Sequence, residues 1–318
     1  MSYGFGAHHD KWGITDQQVS CSAGDCGTSP IGNLAYTGES SGAPYDGTSP
    51  LYGAMQSGGS NGSGLVYELT PNGVNTWTET VLYNFCSSGG DKCTDGKFPS
   101  GGLSLDSTGN LFGLTQQGGN NFDSTGAGVA FEISPNQGSW TETTLYQFCS
   151  VANCTDGAMP VGGLAADAAG VLYGVTLAGG SCKRAKSFGC GTAFSLIPAG
   201  GNTQEAVLYT FCTKRDCRDG SFPEAGLILD GSGNLFGTTE TGGGNDIDDR
   251  QQGGGVAYEI SGTSLNVLHS FCSLAGCADG EYPAAQLIFD ENGNLMGTAT
   301  VGGAFGSGTS GGTVFQIR

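Results

Sequence analysis

The stretch Phe271–Thr298, FCSLAGCADGEYPAAQLIFDENGNLMGT, occurs in four related copies along the chain. Each copy carries a cysteine pair, a proline and a glycine-containing turn that opens on aspartate. The leading cysteines are Cys86, Cys149, Cys212 and Cys272, at intervals of 63, 63 and 60 residues. A period of about 60 residues with this content predicts a propeller or a solenoid.

Each repeat contains four short apolar segments, several with the period-2 alternation that is typical of β-strands. In one copy they read PVGGLAAD, LYGVT, GTAFSL and LYTFC, separated by turns rich in glycine. The first segment occurs five times, at Leu34, Leu103, Leu164, Leu227 and Leu287. With 60 glycines and almost no helical periodicity, we predict an all-β chain, a five-bladed β-propeller of four-stranded antiparallel blades.

The last repeat lacks a fourth segment, and the N-terminal stretch DQQVSCSAGDCGTSPIGNL aligns with the end of one repeat and the start of the next. We therefore expect Val19–Cys21 to complete the last blade, so that the ring closes without a bare edge. A solenoid would instead need a capping repeat at each end. The predicted organisation is a single domain, 1–318, with an arm at 1–18 and blades at about 30–86, 99–149, 160–212, 223–272 and 283–318 plus 19–21.

The 12 cysteines fall into close pairs, which indicates local disulfides. Zinc is the alternative, but zinc sites use C-x2-C knuckles gathered into fours, and only three histidines are present. Each bridge contributes about 2 kcal/mol by restricting a short unfolded loop. Such usage is typical of secreted proteins, and a removed leader would explain the lack of an apolar signal segment. The predicted pairs are Cys21–Cys26, Cys86–Cys93, Cys149–Cys154, Cys182–Cys190, Cys212–Cys217 and Cys272–Cys277.

The net charge of -18 excludes the commonest nucleic-acid and anionic-lipid binders, because phosphate binding needs clusters of Lys and Arg. The basic cluster CKRAK at Cys182–Lys186 is too small to reverse this. No apolar run reaches the length of about 18 residues that spans a membrane. The predicted partner is a glycan or polysaccharide, bound by a monomer or by a strand-exchanged assembly.

The repeat resembles the GloVer-type (Gloeo/Verruco) tandem repeat of exported bacterial proteins, through LYQFC…DGAMPVGGLAADAAGVLYGVTLAGG…GTAFSL and its copies. The resemblance extends from about Val19 to Ile317. It implies an extracellular β-propeller-like protein and brings no settled activity. The chain departs from the pattern by its cysteine pairs and by the insertion ESSGAPYDGTSP in the first repeat.

Two sets of aspartates recur in every full repeat. Those that open the first turn are expected to accept backbone N–H bonds, namely Asp106, Asp167, Asp230 and Asp290. A second set follows the cysteine pairs on the predicted entrance face of the channel: Asp95, Asp156, Asp219 and Asp279. A turn role is favoured for the second set, and the alternative is a ring of carboxylates that binds a cation or sugar hydroxyls.

Residues that differ between copies are the better candidates for function. Glu224 and Glu240 are confined to the fourth repeat and form a candidate acid pair for glycoside hydrolysis, without a third acid from another blade. The variable connection QQGGNNFDSTGAG offers Gln116 and Asp123 as ligand-binding residues.

Three further acids and a histidine pair are candidates for metal binding. NDIDDR gathers Asp246, Asp248 and Asp249, which form either a solvated acidic tip or a calcium site. His8 and His9 lie in the N-terminal arm, where exposure is favoured over metal binding. No cofactor is required by any motif.

Three functions are consistent with these residues. We rank a carbohydrate-binding module first, a structural or adhesive extracellular protein second, and a polysaccharide hydrolase or lyase using Glu224 and Glu240 third. The ranking favours a non-enzyme because a third acid is missing.

Overall fold

The computed structural model describes residues 27–39, 42–73, 76–119, 125–182, 188–197, 203–244, 253–303 and 311–318. Five antiparallel sheets follow one another along the chain, which confirms the predicted all-β class. Short 3-10 turns lie in the cysteine loops, at Gly90–Lys92, Ala152–Cys154, Arg215–Cys217 and Ala275–Cys277. Within the described ranges, no helix has the length and apolar character needed to cross a membrane.

The first three sheets each contain four complete strands, paired in chain order. Sheet 1 holds β1 (Gly27–Ala35), β2 (Leu51–Gly58), β3 (Leu65–Gly73) and β4 (Thr76–Asn84). Sheet 2 holds β5 (Lys97–Leu105), β6 (Leu111–Gln117), β7 (Val129–Asn136) and β8 (Ser139–Gln147). Sheet 3 holds β9 (Ala158–Ala166), β10 (Leu172–Ala178), β11 (Thr192–Ile197) and β12 (Gln204–Thr210).

The last two sheets have shorter first strands. Sheet 4 holds β13 (Ile228–Leu229), β14 (Leu235–Thr239), β15 (Val256–Ser261) and β16 (Ser264–Ser270). Sheet 5 holds β17 (Glu281–Pro283), β18 (Ile288–Phe289), β19 (Leu295–Val301) and β20 (Thr313–Ile317), with β17 and β18 pairing in succession with β19.

Glycine explains why the first strands differ. Gly101 and Gly162 sit within continuous first strands at φ of +81° and +78°, values that favour glycine. Ala225 and Ala285 occupy the same position in sheets 4 and 5. Because an alanine there resists a positive φ, the strand is interrupted, a break that the repeat pattern alone did not predict.

The first strands pack backbone to backbone at these glycines. A Cβ on Gly32 would lie 2.1 Å from the backbone nitrogen of Gly102, and one on Gly162 would lie 2.1 Å from that of Gly226. Sheets 1 and 2, and sheets 3 and 4, therefore meet along their first strands, and we call the region where the first strands meet the axis.

Away from the axis, a repeated aromatic contact joins each sheet to the next. The ring centroids of Phe85, which follows β4, and Phe131 in β7 lie 4.9 Å apart, and both side chains are buried. The same contact recurs as Phe148–Phe194, Phe211–Tyr258 and Phe271–Phe315. Tilted and edge-to-face aromatic packing of this kind stabilises each junction beyond the area that it buries.

The first-turn aspartates have the predicted local role. Asp106 Oδ1 accepts the backbone N–H of Thr108 at 2.8 Å, and Gly109 follows at φ of +90°. Burial raises the pKa of Asp106, but the hydrogen bonds from Asn110 and Thr108 outweigh it and hold the pKa below its usual range. The same N–H bond to the residue two positions on recurs at Asp167, Asp230 and Asp290.

Five of the six predicted disulfides lie within the described part of the chain and all five are formed: Cys86–Cys93, Cys149–Cys154, Cys182–Cys190, Cys212–Cys217 and Cys272–Cys277. Cys21 and Cys26 lie outside the described residues, as does the proposed closing strand Val19–Cys21. Among the described strands, β20 pairs only with β19, so none occupies the fourth position of sheet 5.

Candidate functional site

A cavity of about 630 Å³ lies on the axis where the first strands meet. Its lining includes residues from the first-strand region of all five sheets, among them Asn33, Ser104, Ala165, Glu224 and Gln286. A site at the common axis is therefore built from every sheet of the chain, and its chemistry depends on where the repeats differ.

A second cavity of about 340 Å³ adjoins the first and shares Gly101, Gly162 and Glu224 with it. We call this second cavity the axial mouth. It is lined by Ile31, Gln56, Ser100, Gly101, Gln116, Val161, Gly162, Leu177 and Glu224. These side chains come from the start of the first strand and the end of the second strand, beside the variable connections.

The axial mouth is lined by both apolar side chains and hydrogen-bonding groups. Ile31, Val161 and Leu177 supply the apolar contacts. Gln56 and Gln116 occupy the same position in β2 and β6, and each amide carries two N–H donors and an oxygen acceptor. No Lys or Arg is among the described residues that line the mouth.

Glu224 and Glu240, the predicted acid pair, lie close enough for the charge of Glu224 to act on Glu240. Glu224 lines both cavities, and burial raises its pKa. Glu240 directly follows β14, where its backbone N–H donates to the carbonyl of Phe222 at 2.9 Å. Burial, and then the charge of Glu224, raise the pKa of Glu240. Burial and the like charge of its neighbour therefore both disfavour the ionised form of Glu240.

A third acid that the sequence pattern did not reveal lies on the same axis. Glu39 follows β1 and lines the 630 Å³ cavity. Burial raises its pKa, against a hydrogen bond from the backbone of Tyr36 that lowers it. Because Glu39 begins the insertion of the first repeat, it has no equivalent in the other copies. Gln56, Asn33 and Gln286 were missed for a different reason, since amides in a repeat carry no catalytic signature.

The aspartates after the cysteine pairs are engaged in turns. Asp219 is fully buried, and its Oδ2 accepts the Tyr209 hydroxyl at 2.7 Å and the Thr213 backbone N–H at 2.9 Å. Asp95 and Asp156 make the corresponding tyrosine bonds, and at Asp279 the partner is His269. These contacts favour the turn role, and ligand binding by this set stays a prediction.

Several candidates lie outside the described residues. They are Asp123, Asp246, Asp248, Asp249, His8 and His9. Gln116 is thus the one residue of the predicted connection pair that the structure places, and it lies in the axial mouth.

Comparison with known proteins gives one family match. The sequence model of the Gloeobacter/Verrucomicrobia repeat matches residues 33–247, about two thirds of the chain, which confirms the resemblance inferred from the repeat. No curated protein matches the sequence.

Solved structures show only a loose similarity. GH43B of the Bacteroides ovatus xyloglucan PUL is 11% identical with a TM-score of 0.39, covering 87% of this chain, which spans 48% of that one. The catalytic domain of the Coprinopsis cinerea GH62 α-L-arabinofuranosidase is 11% identical with a TM-score of 0.42, covering 90% of each chain. A GH43 arabinoxylan arabinofuranohydrolase from Bacillus subtilis is 14% identical with a TM-score of 0.42, covering 92% of this chain and 63% of that one. These scores are too low to transfer an activity.

Proposed function

The chain belongs to the Gloeobacter/Verrucomicrobia repeat family, and we propose that it is an extracellular β-propeller whose axial mouth binds a neutral saccharide. The observation that carries this proposal is the composition of the mouth: two glutamine amides and Glu224 line the same 340 Å³ cavity as the apolar side chains of Ile31, Val161 and Leu177. Five disulfides support an oxidising, extracellular location.

The chemistry of a sugar ring fits this arrangement. Its hydroxyls both donate and accept, so amide and carboxyl groups satisfy them in pairs, while the C–H faces pack on aliphatic side chains. The net charge of -18 and the acids on the axis disfavour an anionic polysaccharide, which the surface would repel. Because Gln56 and Gln116 lie on adjacent sheets, we expect one saccharide per chain, held on the axis and not on each blade.

Ring closure belongs to the same proposal. We expect Val19–Cys21 to pair with β20 as the fourth strand of sheet 5, giving five complete blades. Support comes from the axial cavity that all five sheets line and from the open fourth position of the fifth sheet within the described ranges. A second copy of the chain could offer the same strand, which is the fibre-forming alternative.

The proposal is tested on an array of neutral and acidic oligosaccharides, with and without calcium. We expect binding within the neutral set, followed by titration of the best oligosaccharide into the Gln116→Ala variant. Loss of two buried hydrogen bonds should weaken binding about tenfold. Gln117→Ala is the matched control, because neighbouring residues of a strand point to opposite faces. Binding to acidic glycans alone, or an equal effect of both substitutions, would contradict the proposal.

The calcium arm of the array tests the metal prediction. If Asp246, Asp248 and Asp249 hold calcium beside the mouth, then removing the ion with a chelator should weaken saccharide binding. If saccharide binding is unchanged after chelation, these three aspartates do not contribute to the saccharide site.

A second candidate function, glycoside hydrolysis, is favoured by the coupled acids Glu224 and Glu240. Burial raises the pKa of each acid, and a raised pKa is the property that a general acid in glycoside hydrolysis needs. Incubation with the neutral polysaccharides of the array should then release reducing ends, and Glu224→Gln and Glu240→Gln should each abolish the release. Binding without any release of reducing ends assigns the chain to the binding class.

A further inference from the structure

A third cavity, of about 480 Å³ and largely apolar, lies between sheets 4 and 5, remote from the axis. The large side chains that line it are Phe236, Leu268, Phe289, Leu295 and Ile317. Phe289 is 37% exposed, which is unusual for an aromatic side chain at a sheet junction.

The junction of sheets 1 and 2 shows what fills this position elsewhere. There the equivalent side chains form a cluster, and Trp140 packs into it with its ring centroid 6.1 Å from that of Tyr52. The equivalents of the five cavity residues are Tyr52, Leu82, Leu105, Leu111 and Ile133, in the same order. The described residues around the cavity of sheets 4 and 5 include no counterpart of Trp140.

The sequence supplies that counterpart. Trp140 lies nine residues before Cys149, and Trp77 lies nine residues before Cys86. Trp12 lies nine residues before Cys21, the cysteine of the proposed closing strand. The equivalent residues in sheets 3 and 4 are Thr203 and Thr263, so tryptophan at this position is not a general feature of the repeat.

We infer that the indole of Trp12 from the same chain occupies the cavity between sheets 4 and 5. The inference rests on the proposed ring closure and extends the closing strand back from Val19 to Trp12. It also gives the closure a hydrophobic anchor, because an aromatic ring buries far more apolar surface than the short strand around it.

The composition of the cavity lining fits an indole ring. Its lining is mostly aliphatic and aromatic, and Asp230 and Arg318 are the charged residues among those described. An apolar ring with one N–H donor matches such a site better than a polar ligand does. Nothing in the lining resembles the amide-rich axial mouth.

The test uses fluorescence, because the chain has only three tryptophans: Trp12, Trp77 and Trp140. The double variant Trp77→Phe/Trp140→Phe keeps Trp12, and the variant Trp12→Phe/Trp77→Phe keeps Trp140 as a reference for a docked indole. We expect acrylamide quenching of Trp12 to match that of Trp140 within about twofold. Adding Phe289→Arg should expel the indole and raise quenching several-fold. Ile288→Arg, next to it and 63% exposed, should have no effect.

A second measurement uses the wild-type chain, so its result does not depend on whether the substituted chains fold. The wild-type chain is labelled with 5-fluorotryptophan, and the ¹⁹F resonance lost in Trp12→Phe is assigned to Trp12. A buried indole shows no solvent isotope shift between H₂O and D₂O. An exposed Trp12 in either experiment would overturn the inference. A protected Trp12 in a particle of twice the chain mass would also overturn it, because the occupant would be a second copy. Neither experiment on Trp12 involves a saccharide. Its result therefore does not depend on whether the chain binds one.

Discussion

Half-buried glutamates between the sheets make the stability of this protein depend on pH in an unusual direction. Glu142 lies on β8 near Asp95 of the preceding cysteine loop, and Thr144 donates a hydrogen bond to it at 2.9 Å. Burial raises the pKa of Glu142 to about 7, the Thr144 bond opposes the rise, and the charge of Asp95 adds to it. Glu205 is the equivalent residue of the next sheet, and burial with the charge of Asp156 raises its pKa to about 7 as well.

The magnitude follows from the change in pKa. For Glu142 the rise from 4.5 to about 7 corresponds to about 3 kcal/mol at 1.36 kcal/mol for each pKa unit. Because the side chain retains contact with solvent, we expect about 1 to 2 kcal/mol. The folded chain holds a proton that the unfolded chain has lost between pH 4.5 and 7. The contribution is therefore complete below pH 4.5, falls as pH rises, and is absent above pH 7.

The assay is urea unfolding at pH 5 and pH 8 for wild type, Glu142→Gln and the double variant with Glu205→Gln. A neutral amide mimics the protonated acid, so Glu142→Gln should be more stable than wild type at pH 8 by about 1 kcal/mol and nearly equal at pH 5. Glu291→Gln, on an exposed turn, is the control and should leave the difference between the two pH values unchanged. A Glu142→Gln variant that is less stable than wild type at pH 8 would refute this reasoning.

Other substitutions test the axis, the junctions and the cysteine loops, each by the free energy of urea unfolding. Gly162→Ala places a Cβ 2.1 Å from the Gly226 nitrogen, at a residue with a positive φ, and should lower the free energy of unfolding by about 3 kcal/mol. A loss below about 0.5 kcal/mol would mean that the first strands do not pack this closely. Phe148→Ala removes a fully buried ring and should cost about 3 to 5 kcal/mol, and a near-neutral result would exclude it from the junction. Tyr209→Phe deprives buried Asp219 of one donor and should cost about 1 to 2 kcal/mol, while no loss would show that the turn does not need it.

Much of the fold could be predicted from the repeat, because strand position, turn chemistry and cysteine spacing are local properties. Asp106 opening a turn before Gly109 is an example, since both residues act within five positions of each other. The interruption of the first strand at Ala225 could not be read from the pattern, because it depends on a positive φ that glycine elsewhere accepts. The single-domain division and the closing strand stay predictions.

The site was harder to predict than the fold. Glu224 and Glu240 could be selected because they break the repeat, and the charge of Glu224 raises the pKa of Glu240, while their catalytic role stays a prediction. Gln56 and Glu39 could not, because their role follows only from which side chains meet on the axis. For the repeated Asp219 the sequence favoured a turn role over ligand binding, and the tyrosine and backbone donors that it accepts agree with that preference.

The central claim is that one saccharide binds at the axis. Titration calorimetry with the best neutral oligosaccharide from the array measures stoichiometry and affinity together, on wild type and on Gln56→Ala/Gln116→Ala. The account predicts one site per chain and a loss of at least tenfold in the double variant. Five equivalent sites per chain, or an affinity that the double variant leaves unchanged, would contradict it.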